Sequence, residues 1–135
     1  MTAKPAIIPT IRYEDAAQMI EWLCRAFGFE KHMVVPSEDG KIPHAQLVYR
    51  GSMIMLGSTR DDALSAWLTS ARSAGTTTQS AYVVVDDAKA HYARAKAAGA
   101  EIVMELHEEG YGGWGYGARD PEGQLWYFGT YDPWA

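Results

Sequence analysis

Four histidines, one cysteine and a glycine-rich hexapeptide are the residues of this 135-residue chain whose types could do chemistry. His32, His44, His91 and His107 fall on different expected elements, and none has a His or Cys partner at metal-ligand spacing. His107-Glu108-Glu109 is a consecutive run at a strand end, where adjacent side chains diverge. The four therefore read as solvated or structurally satisfied. His44 and Gln46 share a strand face by period two, which would bring both to a pocket on that face. Cys24 lies on the apolar stripe of a helix with Leu23 and Phe27, and a buried free thiol in that setting acts as a small hydrophobe. The run from Gly110 to Gly115, GYGGWG, matches the letters of a dinucleotide fingerprint. That fingerprint leaves a strand and opens a helix so that pyrophosphate meets the helix N-terminus. Here the glycines lead towards Tyr116, Arg119 and a turn, and Glu108 and Glu109 would repel phosphate. The segment reads either as a mobile loop presenting Tyr111 and Trp114 or as a plain Gly-rich hairpin.

The elements that must position these side chains belong to one folded domain spanning residues 1–135. Hydrophobic residues make up 47% and charged residues 21%, the balance of a globular chain rather than a disordered one. Lys and Arg number 12 against 17 Asp and Glu, a net charge of −5, which excludes the basic face that nucleic acid requires. No apolar run approaches the roughly 20 residues of a membrane span, so no membrane partner is expected. The run Ala6 to Pro9 is too short for a signal-peptide core. A single cysteine forbids an intrachain disulfide and suits a reducing, cytoplasmic setting.

Two copies of one unit account for the chain. Asp15 precedes Gly28 and Asp86 precedes Gly99 by the same interval, each Asp following a β-branched or aromatic run, Ile7 to Tyr13 and Ala81 to Val85. Gly51 to Gly57 matches Gly123 to Gly129 in length and in glycine placement. Each unit reads strand, helix and three strands. Asp15 is an N-cap, Met19, Ile20, Leu23, Cys24 and Phe27 follow at helical spacing, and Gly28 stops the helix. The second helix runs from Asp86 or Asp87 to Gly99 with Ala88, Tyr92, Ala95 and Ala98 as its apolar stripe. Strands are expected near Lys31–Val35, His44–Tyr49, Ser52–Leu56, Ile102–Leu106, Trp114–Ala118 and Gln124–Thr130. The modules span about 6–57 and 80–131. The linker, 58–79, is expected to hold a short helix capped by Asp61 or Asp62, with Leu64, Trp67 and Leu68 on its apolar face. Asp120-Pro121-Glu122-Gly123 suits a type I turn of structural purpose.

This arrangement resembles the vicinal oxygen chelate superfamily of glyoxalase I, bleomycin-resistance proteins and extradiol dioxygenases, and within it the small PhnB-like members. The resemblance rests on the two Asp-to-Gly helices, the repeat itself and the Asp-Pro-Glu-Gly turn, and it covers Ile7 to about Tyr131. It implies an α+β fold of two βαβββ modules whose sheets curve around a pocket, and commonly a homodimer with modules paired within or between chains. Enzymes of the family hold a divalent metal with four side chains, usually His and Glu. The matching positions here are Ile8 (or its neighbour Pro9), Met55, Ser80 and Tyr127, which do not make a zinc or hard-cation site. No metal and no cofactor are therefore expected.

Strand alternation completes the expected pocket. Trp126 and Phe128 should face the helices, with Leu125 and Tyr127 on the opposite, concave face. Met53 and Met55 are their counterparts in the first module, and Thr10, Arg12, Gln46, Ser80, Tyr82 and Trp114 join them. The expected function is metal-independent binding of a small molecule, aromatic or cationic, at an acidic protein. The alternative is an enzyme of the same superfamily, a lyase or isomerase like lactoylglutathione lyase, or a dioxygenase-like member, using Tyr127, Arg12 or Glu105.

Overall fold

The structure is a computed structural model that describes residues 3–135. Both long helices begin as their capping aspartates dictate. Asp15 Oδ1 accepts the Gln18 N–H at 3.2 Å and opens α1 (Ala16–Phe27), and Asp87 Oδ1 accepts the Ala90 N–H at 3.1 Å and opens α3 (Ala88–Ala97). Gly28 ends α1 in the left-handed conformation, φ 86°, where a side chain would be strained. The first module is β1 (Thr10–Tyr13), α1, β2 (Glu30–Val35), β3 (His44–Tyr49) and β4 (Ser52–Ser58). The second is β5 (Ala81–Val84), α3, β6 (Glu101–Glu108), β7 (Trp114–Arg119) and β8 (Leu125–Gly129). Each forms a four-stranded mixed sheet of the same order, β1-β4-β3-β2 and β5-β8-β7-β6, with the first strand parallel to the last. The α+β architecture and the repeat are as the sequence leads one to expect.

The linker differs. Its helix, α2 (Ala71–Ala74), is capped by Ser70, and the stretch around Leu64 to Leu68 is a set of turns. Asp62 Oδ1 accepts the Leu64 N–H at 3.0 Å and the Ser65 hydroxyl at 3.1 Å, and the Leu64 carbonyl closes one turn with the Leu68 N–H at 2.8 Å, but the turn does not propagate into a helix. Leu64 and Trp67 are consequently exposed instead of forming a packed stripe. Among the described residues no helix is long and apolar enough to cross a membrane.

One core joins the helix-covered faces of the two sheets. Ala45, Leu47, Ile54 and Leu56 from the first sheet and Tyr116, Ala118, Trp126 and Phe128 from the second enclose Leu23 and Phe27 of α1. The Phe27 ring lies 4.6 Å from that of Phe128 and 5.6 Å from that of Trp126. The alanines of α3 keep its surface low, so α1 packs directly on it. The two helices then satisfy each other's C-terminal carbonyls, which a helix cannot bond internally. Trp22 Nε1 donates to the Ala98 carbonyl at 2.8 Å, and Arg94 donates to the Arg25 and Cys24 carbonyls at 2.8 and 3.1 Å. His91 completes the exchange. Its Nε2 lies 2.9 Å from the Phe27 carbonyl, which can only accept, so Nε2 carries the proton and Nδ1 accepts the Tyr116 hydroxyl at 2.5 Å.

The Asp-Pro-Glu-Gly turn is structural, and it is also the bolt between modules. Glu122, 3% exposed, accepts the backbone N–H groups of Glu14 and Asp15 at 2.6 and 2.7 Å. Asp120, 4% exposed, accepts the Tyr13 hydroxyl at 2.6 Å and Trp126 Nε1 at 3.1 Å. Burial raises the Asp120 carboxyl above its usual range, and the Tyr13 and Trp126 donors pull it back.

Two outcomes follow from these contacts. Glu122→Gln keeps one acceptor and turns an amide N–H towards a backbone N–H, so it should cost about 1–3 kcal/mol in chemical denaturation. Burial lowers the pKa of His91, so the folded state holds it neutral. The stability this contributes is complete above about pH 6.5, the ordinary histidine value, and is lost as pH falls below it, because only the unfolded chain takes up the proton. His91→Gln, which can keep both hydrogen bonds, should flatten the stability profile below about pH 6.5, measured by urea midpoints as the pH is lowered from there.

Candidate functional site

Nine of the ten side chains assigned to a pocket are distributed over three places, and the tenth, Trp114, lies in a fourth. Thr10, Arg12, Ser80 and Leu125 line one cleft of about 570 Å³ between the edges of β1 and β5, bounded by linker residues that include Trp67 and Thr77. Gln46, Met53 and Met55 are half-buried on the helix-free face of the first sheet, where Gln46 and Thr10 flank Met55 in the register. The Gln46 amide donates to His44 Nε2 at 3.0 Å, so these two share a face as the alternation requires. Tyr82 and Tyr127 are register partners on the helix-free face of the second sheet and stack with ring centroids 6.0 Å apart.

Trp114 departs from this set. Along β7 the residues alternate, and Tyr116 and Ala118 are buried under the helices while Gly115 and Gly117 lie beside Tyr127. Trp114 shares the helix side with Tyr116, and the Lys89 ammonium of α3 sits 5.6 Å from its ring centroid. The GYGGWG run is the β6–β7 hairpin, with Gly112 and Gly113 at φ 110° and 82°. Glu105 is likewise on the helix side, where Tyr92 of α3 donates to it. Cys24 is half-buried, and burial pushes its thiol pKa up, away from reactivity.

The glycines of β7 are what make room on the other face. A Cβ at Gly115 would stand 2.8 Å from Glu109 Oε1 and 3.2 Å from the Tyr127 ring, and one at Gly117 would stand 3.3 Å from that ring. On this bed Tyr127 donates its hydroxyl to Glu109 Oε1 at 2.6 Å. His107 Nε2 lies 3.1 Å from the same oxygen, and His107 Nδ1 donates to the Glu105 carbonyl at 2.7 Å. The carbonyl and then the Glu109 carboxylate hold the His107 pKa above its ordinary value. The Tyr127 hydroxyl, with His107, holds Glu109 below the usual carboxylate range. Partial burial and then the Glu109 bond push the Tyr127 phenol up, so it stays protonated as a donor.

Two more tyrosines close the corner. Tyr111 at the hairpin tip packs edge-on against Tyr131 with centroids 4.9 Å apart, and Tyr82 donates to the Tyr131 carbonyl at 2.7 Å. The result is an ionised carboxylate surrounded by aromatic faces, which can attract an organic cation by charge and by ring quadrupole together. Glu109 and Tyr131 were not singled out from the sequence as pocket residues, His107 was read as solvated or structurally satisfied, and Tyr111 was named only as presented by the glycine-rich loop. His107 and Glu109 are two residues apart, and period two puts them on one face although Glu108 between them diverges.

The positions matching the family's metal ligands do not make a metal site. Met55 stands beside Thr10 and Tyr127 beside Tyr82, and with Ile8 and Ser80 the set offers a thioether, a phenol and a hydroxyl in place of imidazole and carboxylate. Among the described residues no three or more His, Cys, Asp or Glu side chains gather closely enough to hold an ion.

The geometry has close counterparts. Residues 7–128 match the family model described as Glyoxalase/Bleomycin resistance protein/Dioxygenase superfamily. The uncharacterized protein Mb0911c of Mycobacterium bovis is 32% identical over 130 residues, covering 96% of this chain and 85% of that protein. The crystal structure of TioX from Micromonospora sp. ML1 superposes with a TM-score of 0.76 at 31% identity, covering 93% of this chain and 97% of that one. A PhnB protein from Bacillus cereus shares the fold at 15% identity, with a TM-score of 0.68 and coverage of 93% and 98%. With both modules matched in order, the chain belongs to the glyoxalase/bleomycin resistance protein/dioxygenase superfamily.

Proposed function

We propose that this protein binds a planar organic cation without a metal, in the manner of the binding members of its superfamily. The observation that carries the reading is the Tyr82–Tyr127 stack set against the Glu109 carboxylate on a bed of glycine. Each part serves recognition. The stacked rings offer a flat apolar face, Glu109 supplies the countercharge, and Tyr127 and His107 fix that carboxylate so little ordering is left to occur on binding. The net charge of −5 adds a weak long-range attraction of the same sign. A second reading, a lyase or isomerase, draws on one observation. The Tyr127 hydroxyl and His107 both reach Glu109 Oε1, and such a group can relay a proton.

A second copy of the chain is the proposed occupant of the helix-free face of the first sheet. Met33 and Val35 on the outer strand are exposed, and across Gln46 and His44 of β3 the face continues to half-buried Met53 and Met55, a surface of the kind that association covers. Light scattering at micromolar concentration should give a dimer, with an interface of about 1,200 Å² or more; a monomer would contradict it.

The cation surface is tested with 9-aminoacridine, a planar cation at neutral pH, followed by its fluorescence. Tyr127→Ala should weaken binding by roughly 1–3 kcal/mol, about 5- to 150-fold, with little change in the urea midpoint. Glu109→Gln should weaken it less but remove most of its salt dependence. Trp126→Ala, on the other face of the same strand, should instead cost about 3–5 kcal/mol of stability. Unchanged acridine affinity in both site variants would refute the assignment. Conversion of an incubated ligand to a new mass would favour the enzyme.

A further inference from the structure

We infer that the cleft between β1 and β5 is a second binding site, of opposite sign, which takes an organic carboxylate with an apolar body and seats the carboxylate on Arg12. The inference is independent of the tyrosine–glutamate surface. In a chain of net charge −5, Arg12 is the sole charged residue lining this cleft of about 570 Å³ among the described residues. Every other polar contributor is a hydroxyl or an amide, among them Thr10, Thr77, Ser80 and Gln124.

Arg12 is only 7% exposed, yet among the described residues its guanidinium makes no hydrogen bond. Its one countercharge among the described residues, Asp62 Oδ2, stands 3.8 Å from Nη2, beyond hydrogen-bonding range. That oxygen lies closer to Arg60 Nε, at 3.3 Å, so one carboxylate is shared by two guanidiniums and a positive charge is left over. No sealed nitrogen lacks a partner among the described residues, so the little accessible surface Arg12 keeps includes its guanidinium nitrogens. Taking a guanidinium this far from water without a partner is costly, and buried charges are ordinarily paired and hydrogen-bonded. Its planar fork of donors matches a carboxylate in a bidentate contact.

The rest of the cleft describes the remainder of the ligand. Ile7 and Trp67 stand 91% and 86% exposed at its margin, and Ile8, Leu68 and Leu125 line it further. An apolar or aromatic body would cover these side chains, which the protein alone leaves in water. A single cation with no lysine beside it suits a monoanion better than a phosphate dianion.

The test is calorimetric, with 2-naphthoate and its neutral analogue 2-naphthalenemethanol against the full chain. The wild-type protein should bind naphthoate at least tenfold more tightly than the alcohol. Arg12→Met should abolish that preference, and Trp67→Ala should weaken both ligands. Because Arg12 lacks a good partner, Arg12→Met should melt at or above the wild-type temperature. Equal or absent binding of the two ligands by the wild-type protein would overturn the inference. So would an undiminished naphthoate preference in Arg12→Met, or a large loss of stability in that variant, which would mark Arg12 as structural.

Discussion

Two buried carboxylates on one turn decide how the halves of this protein meet. Glu122 receives the two backbone amides at the β1–α1 junction, and Asp120 receives Tyr13 and Trp126 from the strands on either side. Carboxylates this deep are tolerated only when donors converge on them. The contact therefore specifies one relative placement of the modules. Given that placement, α1 and α3 lie side by side, each satisfying the other's last carbonyls, and the helix-covered faces fuse into one core. The faces that remain for chemistry are those without helices, and the cleft where β1 and β5 approach.

The remaining surfaces differ in sign. The second sheet carries Glu109 among Tyr82, Tyr111 and Tyr127, while the cleft carries Arg12 among hydroxyls. The first of these depends on small residues nearby: Gly115 and Gly117 give Tyr127 and Glu109 their seat. A repeated scaffold has thus been differentiated by side chains rather than by backbone.

Most of the fold was legible because it is written in local rules. Asp15 and Asp87 as caps, Gly28 as a stop, and the alternation that buries Trp126 and Phe128 but leaves Tyr127 out are all settled within a few residues. What escaped is set by distant partners or by which local turn propagates into a helix. Nothing near Glu122 announces that its partners are the amides of Glu14 and Asp15, and nothing near His91 announces the Phe27 carbonyl. The linker helix was misplaced because Asp62 caps only a set of turns around Leu64 that does not propagate, while Ser70 opens the helix that forms. Trp114 was placed on the wrong face for lack of a register, although Tyr116 two residues on carries the same parity. Glu109 was legible in principle, since it shares a face with His107 by simple alternation.

Hydrogen–deuterium exchange with and without saturating 9-aminoacridine tests the central claim most directly, because it locates the ligand without altering the chain. Binding at the tyrosine–glutamate surface should slow exchange in peptides covering 81–84, 107–113 and 125–131, and leave α1 and the first sheet unchanged. Protection confined to the first sheet, or to the cleft peptides at 7–12 and 67–80, would contradict the account.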